Sequence, residues 1–357
     1  MKKPIVAPVA FVLLFFATSE TGRSADWEQL PALHDENGFA GSFAGVSHDV
    51  LLIAGGANFP DKKPWEGGQK VWHDSIFALE TSNQTGNEKK VPHWEKVGTL
   101  PSPLGYGVSA SDQNGLVCVG GSDAKQHHAD AFRLESKGGK IERHNLPKLP
   151  TTIANAGGTV VGSTLYVVGG IERPDAAIAL KKLFSLDLAS REPTWKELDA
   201  LPGPGRIFPI VAAYDNALFV FGGAELLSDG EGRILRRYLK DGFRFQPGQG
   251  WKPIADLPTT LAAAPSPCPS DPSGIYVLGG DDGSKVGFKP PEKHPGFSKQ
   301  LLRYDPAHDQ WKELGEMPVS RANATVTKWQ TGWIIGSGEI FPGVRSPEIW
   351  QFSPPGQ

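Results

Sequence analysis

The stretch Trp195-Lys-Glu-Leu-Asp-Ala-Leu-Pro202 decides the fold because its pattern occurs six times in the sequence. The other five copies, one of which begins with Arg143 instead of Trp, occupy residues 27–33, 94–101, 143–150, 251–258 and 311–318. An apolar run follows each segment and ends in a glycine pair, at Gly55-Gly56, Gly120-Gly121, Gly169-Gly170, Gly222-Gly223, Gly279-Gly280 and the variant Gly336-Ser337-Gly338. The first residue of a segment precedes the first of these glycines by 28, 26, 26, 27, 28 and 25 positions. Such regular offsets indicate an internal repeat of six units.

The runs on either side of the glycine pairs predict β-strands. Runs at 165–168, 218–221 and 275–278 are short, apolar and bounded by Gly, and second runs follow at 75–79, 183–186, 301–304 and 348–352. Their β-branched and aromatic residues favour buried strands over helices. Each unit is predicted to hold four strands, a to d, with strand b before the glycine pair and strand d carrying the Trp. A unit of about 55 residues resembles a blade of the kelch family, which has about 50. We therefore expect an all-β fold, a six-bladed kelch β-propeller.

The two ends of this repeat predict how the ring closes. No strands precede the segment at Trp27, and the last unit ends after strand c at Phe352. The N-terminal segment is therefore expected to supply strand d of the last blade. This closure pairs both terminal sheet edges, which would otherwise be exposed templates for aggregation.

The first 25 residues have the order of a secretory signal peptide. Lys2 and Lys3 precede an apolar run over residues 5–17, and small and polar residues follow up to Ala25. A retained membrane anchor is the alternative. We expect residues 26–357 to form one propeller that is periplasmic or secreted and has no membrane contact after cleavage.

Composition excludes several classes of protein. Gly 43 and Pro 31 among 357 residues are incompatible with a coiled coil, because both disfavour helix interiors. A net charge of −3 provides no basic footprint, so no nucleic-acid partner is expected. Cys118 and Cys268 exclude a disulfide framework and leave a single bridge open. His73 and the pair His127-His128 lack a Cys or carboxylate at metal-ligand spacing, so no metal is expected.

One face of the propeller is the expected binding face. Strands alternate in direction, so the b–c loops and the d–a connections emerge together, and the long insertions at 57–73 and 281–298 follow glycine pairs. Long loops in a compact domain are usually functional. In the last b–c loop, Glu339 and Arg345 are six residues apart around a Pro-Gly turn, close to the channel mouth. An ion pair that merely stiffens the turn is the alternative interpretation.

Five stretches carry a resemblance to a known family. They are Gly38-Phe-Ala-Gly-Ser-Phe-Ala-Gly-Val-Ser47, Leu52-Ile-Ala-Gly-Gly-Ala-Asn-Phe-Pro-Asp61, Trp65-Glu-Gly-Gly68, Gly105-Tyr-Gly-Val-Ser109 and Gly338-Glu-Ile-Phe-Pro-Gly-Val-Arg345. Together they resemble the bacterial N-acetylneuraminate epimerase (sialic acid mutarotase) family. In another form of that family the last motif lies mid-chain and the first comes late, so this sequence resembles a cyclically permuted branch. The resemblance implies that Glu339 is the proton acceptor.

The resemblance also implies a partner and a chemistry. The partner is a small acidic sugar, whose anomers interconvert when the anomeric hydroxyl is deprotonated, the ring oxygen is protonated, and the opened ring recloses on the other face, without a cofactor. A carboxylate such as Glu339 suits the base, and Arg345, with Arg206, suits bidentate pairing with the sugar carboxylate. Candidates for contacts with hydroxyls or the N-acetyl group, or else simple turn residues, are Asn58, Asn155 and Asn323.

A second class of function remains open. A non-catalytic exported kelch module that binds a protein or a glycan is the alternative. Two enzyme classes with similar blades do not fit the sequence. The repeated Ser-x-Asp-x-Gly-x-Thr-Trp turns of sialidases are absent from it, and no constellation like the cross-linked Tyr-Cys of galactose oxidase surrounds Cys118 or Cys268.

Overall fold

The computed structural model describes residues 25–80 and 92–355, which form six four-stranded antiparallel sheets. Strands a to d are Phe43–Ser47, Val50–Ala54, Ser75–Glu80 and His93–Thr99 in blade 1; Val108–Asp112, Gly115–Val119, Ala131–Lys137 and Lys140–Leu146 in blade 2; Ala154–Val161, Thr164–Ile171, Leu183–Asp187 and Lys196–Leu198 in blade 3; Ile210–Tyr214, Ala217–Phe221, Gly242–Gln246 and Gly250–Ile254 in blade 4; Ser270–Asp271, Gly274–Gly280, Ser298–Asp305 and Gln310–Glu316 in blade 5; and Thr325–Trp329, Gly332–Gly336, Ile349–Ser353 and Asp26–Leu30 in blade 6. The predicted six-bladed β-propeller is confirmed.

Smaller elements decorate the b–c loops. They are the two-stranded pairs Ala57–Asn58 with Val71–Trp72, Ala224–Ser228 with Ile234–Tyr238 and Glu339–Phe341 with Val344–Arg345, and the 3₁₀ turns Pro64–Glu66 and Pro291–Lys293. Within the described ranges, no helix has the length and apolar character needed to cross a membrane. The predicted signal peptide lies outside the described residues, apart from its last residue, Ala25.

The ring closes as the repeat predicts. Asp26–Leu30 pairs antiparallel with Ile349–Ser353 and places Trp27 opposite Phe352. Their ring centroids are 4.8 Å apart, so the closure is sealed by aromatic packing as well as by backbone hydrogen bonds. The N-terminal segment is therefore strand d of blade 6.

The apolar core lies between neighbouring blades. Between blades 6 and 1, for example, Ile53 and Trp94 pack with Trp329 and Ile334 in one buried cluster. Burying a side chain of this kind contributes about 1.5–3 kcal/mol. Cys118 and Cys268 are buried in separate clusters and are unpaired, so the disulfide that the sequence left open does not form.

The repeated Trp of strand d joins adjacent blades by a hydrogen bond. The indole Nε1 atoms of Trp94, Trp195, Trp251 and Trp311 donate to the carbonyl oxygens of Pro31, Pro147, Asp199 and Ala255 at 2.8, 2.7, 2.8 and 3.1 Å. Each acceptor lies four residues after the first residue of the repeat segment in the preceding blade. Trp94 reaches Pro31 across the closure, so this bond also anchors the N-terminal strand.

The glycine pair turns the chain sharply where strand b ends. Gly55 has a φ of +63°, and a Cβ there would lie 2.2 Å from the carbonyl oxygen of Leu104. In blade 6, Ser337 takes the first place of the pair with a φ of +54°, and Gly338 takes the second. The pair therefore begins one residue later than the sequence indicates. Ser337 Oγ accepts a hydrogen bond from the Phe39 N–H at 2.8 Å and donates to the Ser346 carbonyl at 2.7 Å, which offsets the backbone strain.

A closed ring of backbone hydrogen bonds surrounds the axis on the loop-bearing face. Its six members, one near the start of each strand a, are Gly41, Tyr106, Asn155, Phe208, Ala263 and Asn323. Each N–H donates to the carbonyl of the equivalent residue in the preceding blade, at 2.7 to 3.1 Å, and every φ lies between +51° and +63°. We call this feature the amide ring. It fixes the positions of five side chains around the mouth of the axial channel, because the sixth member, Gly41, has none.

Candidate active site

The hairpin of blade 6 holds the predicted base, Glu339, and the predicted substrate-binding residue Arg345 side by side. Glu339 lies directly opposite Arg345 in the register of the hairpin, and Pro342 and Gly343 form its turn. Reciprocal backbone hydrogen bonds of 2.9 and 2.8 Å with Ala322 fix Glu339 at the end of the glycine pair. Glu339 Oε1 lies 2.9 Å from Arg345 Nη2. The sequence prediction that these groups meet near the channel mouth is thus realised in the geometry.

The Glu339 carboxylate is nearly buried, with 8% of the residue exposed. Its second oxygen, Oε2, accepts a hydrogen bond from Asn323 Nδ2 at 2.6 Å. Asn323 belongs to the amide ring, so its side chain is held beside the axis. One oxygen of the carboxylate therefore faces a cation and the other faces an amide, an arrangement that fixes the orientation of the carboxylate.

The Arg345 guanidinium is buried but has an unused nitrogen. Only 6% of the residue is exposed, and its plane lies over the ring of Phe59 at 4.7 Å. Nε donates to the Ala57 carbonyl at 3.3 Å and Nη2 donates to Tyr106 Oη at 3.3 Å. Among the described residues, Nη1 has no hydrogen-bond partner. A buried donor without a partner is costly, and an anionic ligand would satisfy it.

These groups open onto a cavity of about 250 Å³ on the loop-bearing face. Its lining consists of Lys70, Tyr106, Phe208, Ala224, Arg236, Tyr238, Ala262, Ala263, Asp281, Phe297, Ala322, Asn323, Glu339, Pro342, Gly343 and Arg345. The lining contains both acidic and basic side chains, and its residues come from the b–c loops and from the amide ring. The cavity therefore lies on the face that the long insertions predict.

A second carboxylate occupies the position of Glu339 in the neighbouring blade. The residue after the glycine pair is Asp281 in blade 5, and its backbone bridges to Ala262 as that of Glu339 bridges to Ala322. Tyr238 Oη donates a hydrogen bond to Asp281 Oδ2 at 2.6 Å. Burial and the Asp281 carboxylate raise the pKa of the Tyr238 phenol well above its usual range, so this phenol stays neutral.

Sequence reasoning missed Lys70, Tyr106 and Tyr238 as members of the site. Lys70 Nζ lies 3.3 Å from Tyr106 Oη and 4.7 Å from the centroid of its ring. The signal that could have found Tyr106 is positional, because it stands at the same place in its blade as Asn155 and Asn323 do in theirs.

The three predicted Asn residues have different surroundings. Asn323 contacts Glu339 in the cavity. Asn155 lines the adjoining axial channel, a space of about 70 Å³ at the amide ring, rather than the cavity itself. Asn58 is completely buried: its Nδ2 donates to Asp35 Oδ1 and to the Gly38 carbonyl at 3.1 and 3.0 Å. Because its polar atoms are used within the protein, the structure gives no support to sugar binding by Asn58.

Arg206 also lies away from the predicted site. It is 0% exposed, and its Nη1 and Nη2 donate to the two oxygens of Asp241 at 2.6 and 2.9 Å. Arg321 makes the same kind of pair with Glu348 at the same place in blade 6, at 2.9 Å. The corresponding residues of the other blades are apolar: Phe39, Leu104, Ile153 and Leu261. Arg206 therefore occupies a core position of the repeat, and the geometry does not support its predicted pairing with the substrate.

One cluster of side chains has the spacing of metal ligands. Across residues 25–80 and 92–355 it is formed by Glu135, Glu142 and His144, on strands c and d of blade 2. His144 Nε2 lies 3.1 Å from Glu135 Oε2 and 3.8 Å from Glu142 Oε2, and the two residues on strand d are exposed. Pairing of polar side chains on the outer strands of a sheet accounts for this cluster, and it does not contribute to the cavity.

Fold and cavity together define a six-bladed β-propeller with a buried carboxylate–guanidinium pair at the mouth of its channel. The family model described as N-acetylneuraminate epimerase matches residues 17–142 and 146–286, which is more than half of the chain. The chain belongs to the N-acetylneuraminate epimerase family. Glu339 and Arg345 lie beyond the matched residues.

Curated relatives carry the same description. The chain is 29% identical over 232 residues to "N-acetylneuraminate epimerase" of Haemophilus influenzae (strain 86-028NP), which covers 57% of this chain and 58% of the relative. It is 37% identical over 136 residues to the protein of that name from Yersinia enterocolitica (34% and 32% covered) and 38% identical over 104 residues to that from Salmonella enteritidis (27% and 24% covered). The matched part of the chain spans 58% of the Haemophilus influenzae relative, 32% of the Yersinia enterocolitica relative and 24% of the Salmonella enteritidis relative.

Proposed function

We propose that this protein interconverts the anomers of N-acetylneuraminate or a related acidic sugar by ring opening and reclosure, without a cofactor. The observation that carries the proposal is the position of Glu339 beside Arg345 in the cavity, with Arg345 Nη1 unpaired among the described residues. The names of the relatives support the sugar class. An anionic substrate is supported because Nη1 finds no hydrogen-bond partner in the part of the chain that the structure describes.

In the proposed reaction, Glu339 is the base. Its carboxylate removes the proton of the anomeric hydroxyl while the bond from the anomeric carbon to the ring oxygen breaks and the ring oxygen takes up a proton. A half-turn about the adjacent C–C bond presents the other face of the ketone, and the reverse steps close the ring. No electrons are gained or lost, so these steps need only proton transfer and orientation.

Arg345 has two tasks in this proposal. Nη2 holds Glu339 in place, while Nη1 donates a hydrogen bond to the sugar carboxylate. A bound anion also satisfies a donor whose burial is otherwise costly, which favours acidic sugars over neutral ones. Asp281 and Tyr238 line the cavity in the neighbouring blade and offer an acceptor to sugar hydroxyls.

The experiment follows the approach of fresh α-anomer to equilibrium by proton NMR, with and without protein. We expect wild-type protein to accelerate the exchange and Glu339→Gln to lose about 10²- to 10⁴-fold in rate, the usual contribution of an acid–base group. Glu225→Gln is the matched control, since Glu225 pairs with Arg237 on the blade 4 hairpin and does not line the cavity. Exchange at the buffer rate with wild-type protein, across several acidic sugars, would favour the binding-module alternative.

A further inference from the structure

Two phenols line the cavity, and they differ in how their hydroxyl hydrogens are used. Tyr238 donates its hydrogen to Asp281 at 2.6 Å. Tyr106 Oη instead accepts hydrogen bonds from Lys70 Nζ and Arg345 Nη2, both at 3.3 Å, and within the described part of the chain it donates none. Cations occupy both acceptor positions of this oxygen, so its hydrogen is available to a ligand in the cavity.

The two cations also favour proton donation by this phenol. When a phenol gives up its proton, negative charge develops on Oη. The ammonium of Lys70 and the guanidinium of Arg345 both contact that atom, and they stabilise the charge inside a partly buried site where water screens poorly. The hydrogen of Tyr238 faces a carboxylate instead, which opposes its loss to a substrate.

The phenol is also well placed relative to the base. Arg345 Nη2 lies 2.9 Å from Glu339 Oε1 and 3.3 Å from Tyr106 Oη, so a single nitrogen separates the two groups. Anomer exchange needs a base at one oxygen and an acid at another, and both oxygens are bonded to the same anomeric carbon. Glu339 and Tyr106, which both contact Arg345 Nη2, match that requirement.

We infer that Tyr106 is the general acid that protonates the ring oxygen of the sugar, a role that rests on the proposed function. As Glu339 takes the hydroxyl proton, the electron pair of the breaking C–O bond goes to the ring oxygen, which takes the Tyr106 proton and leaves a phenolate. On reclosure the new ring oxygen returns its proton to that phenolate, and Glu339 returns its own to the carbonyl oxygen. Atoms, charge and electrons balance over the cycle.

The backbone around Tyr106 accommodates the aromatic ring of its side chain. Tyr106 has a φ of +59°, which is rare for a bulky residue. A Cβ on Gly41 would lie 2.6 Å from Tyr106 Cδ1, so Gly41 leaves the space that the aromatic ring needs. Phe208 occupies the equivalent place in blade 4 with a φ of +51°, which shows that the amide ring accepts phenylalanine.

The test is therefore Tyr106→Phe, which removes only the hydroxyl. The matched control is Tyr214→Phe, because Tyr214 does not line the cavity and its Oη donates to the Pro272 carbonyl at 3.3 Å. We expect Tyr106→Phe to lower kcat for anomer exchange by about 10²- to 10⁴-fold, with KM changed less than threefold and the unfolding midpoint within a few degrees of wild type. Imidazolium buffer should restore part of its rate in proportion to concentration and leave the wild-type rate unchanged. Tyr214→Phe should retain kcat within about fivefold.

The outcomes separate this inference from the proposed function. Active wild-type protein, inactive Glu339→Gln and a fully active Tyr106→Phe would overturn the role of Tyr106 and leave the function standing. A loss confined to KM, or one without buffer rescue, would make Tyr106 a binding residue and would also overturn the assignment. Wild-type protein that does not accelerate exchange would overturn both.

Discussion

Replacing Arg206 by leucine tests whether this residue belongs to the core or to the substrate site. The guanidinium donates to both oxygens of Asp241 and, at 2.9 Å, to the Gly222 carbonyl, and it lies over the ring of Phe243. Leucine is the residue that Leu104 and Leu261 provide at the same place in blades 2 and 5. The change therefore removes the charge and keeps an apolar side chain that the repeat accepts.

The expected loss of stability follows from the Asp241 carboxylate, which Arg206→Leu leaves without its partner. Removing one member of a buried ion pair usually costs about 3–5 kcal/mol, because the other charge stays buried alone. The Asp241 side chain is 29% exposed, so water solvates part of the abandoned carboxylate. Leucine also returns some apolar burial. We therefore expect a loss of about 2–3 kcal/mol in the free energy of unfolding.

The assay combines urea unfolding with the kinetics of anomer exchange. Arg206→Leu should shift the unfolding midpoint and leave KM for the sugar within about twofold. The double variant Arg206→Leu/Asp241→Asn, which removes the abandoned charge, should regain about half of the lost stability. A rise of tenfold or more in KM with unchanged stability would refute the core assignment and return Arg206 to the substrate site.

Two further predictions concern stability. Ser337→Gly relieves the strain of a φ of +54°, which is worth about 1 kcal/mol, but it removes the hydrogen bonds to the Phe39 N–H and the Ser346 carbonyl, and each buried group left unpaired costs about 1–3 kcal/mol. We expect urea unfolding to show a net loss of about 1–2 kcal/mol in the free energy of unfolding. A variant more stable than wild type would contradict this balance. Burial lowers the pKa of His73, although nearby carboxylates act in the opposite direction. As the pH falls, the imidazole is therefore protonated in the unfolded chain before it is protonated in the folded protein. The free energy of unfolding should consequently fall as the pH drops below about 6.5. His73→Gln should flatten part of that slope between pH 7.5 and 5.5, and an unchanged slope would show that other groups carry it.

The repeat pattern predicted the architecture because each of its repeated residues has a direct structural role. The Trp donates to the preceding blade, the glycine pair turns the chain at the end of strand b, and the unpaired segment at Trp27 closes the ring. The single misplacement was the pair of blade 6. Ser337 adopts the left-handed conformation there because two side-chain hydrogen bonds support it, which a rule based on glycine does not foresee.

The candidate site was only partly predictable. Glu339 and Arg345 share one hairpin, so their meeting follows from local sequence. Arg206 and Asn58 were assigned from residue type and loop position, but partners such as Asp241, 35 residues further on, satisfy them within the fold. Tyr106 was missed because it reaches Arg345 across 239 positions, a contact that only the closure of the ring creates.

The amide ring has a consequence for how this molecule opens. Every member donates its N–H to one neighbour and accepts a hydrogen bond at its C=O from the other. Separation of any two adjacent blades therefore breaks one of these backbone hydrogen bonds and leaves its two groups unpaired. The six amide protons should consequently exchange with deuterium together and slowly, at a rate set by global rather than local unfolding. Tyr106, Gly41 and Asn323 are consecutive members. The main chain therefore sets the distance between the Tyr106 phenol and the Asn323 amide that orients Glu339. Under the proposed function, this distance limits the size of the sugar that fits between them.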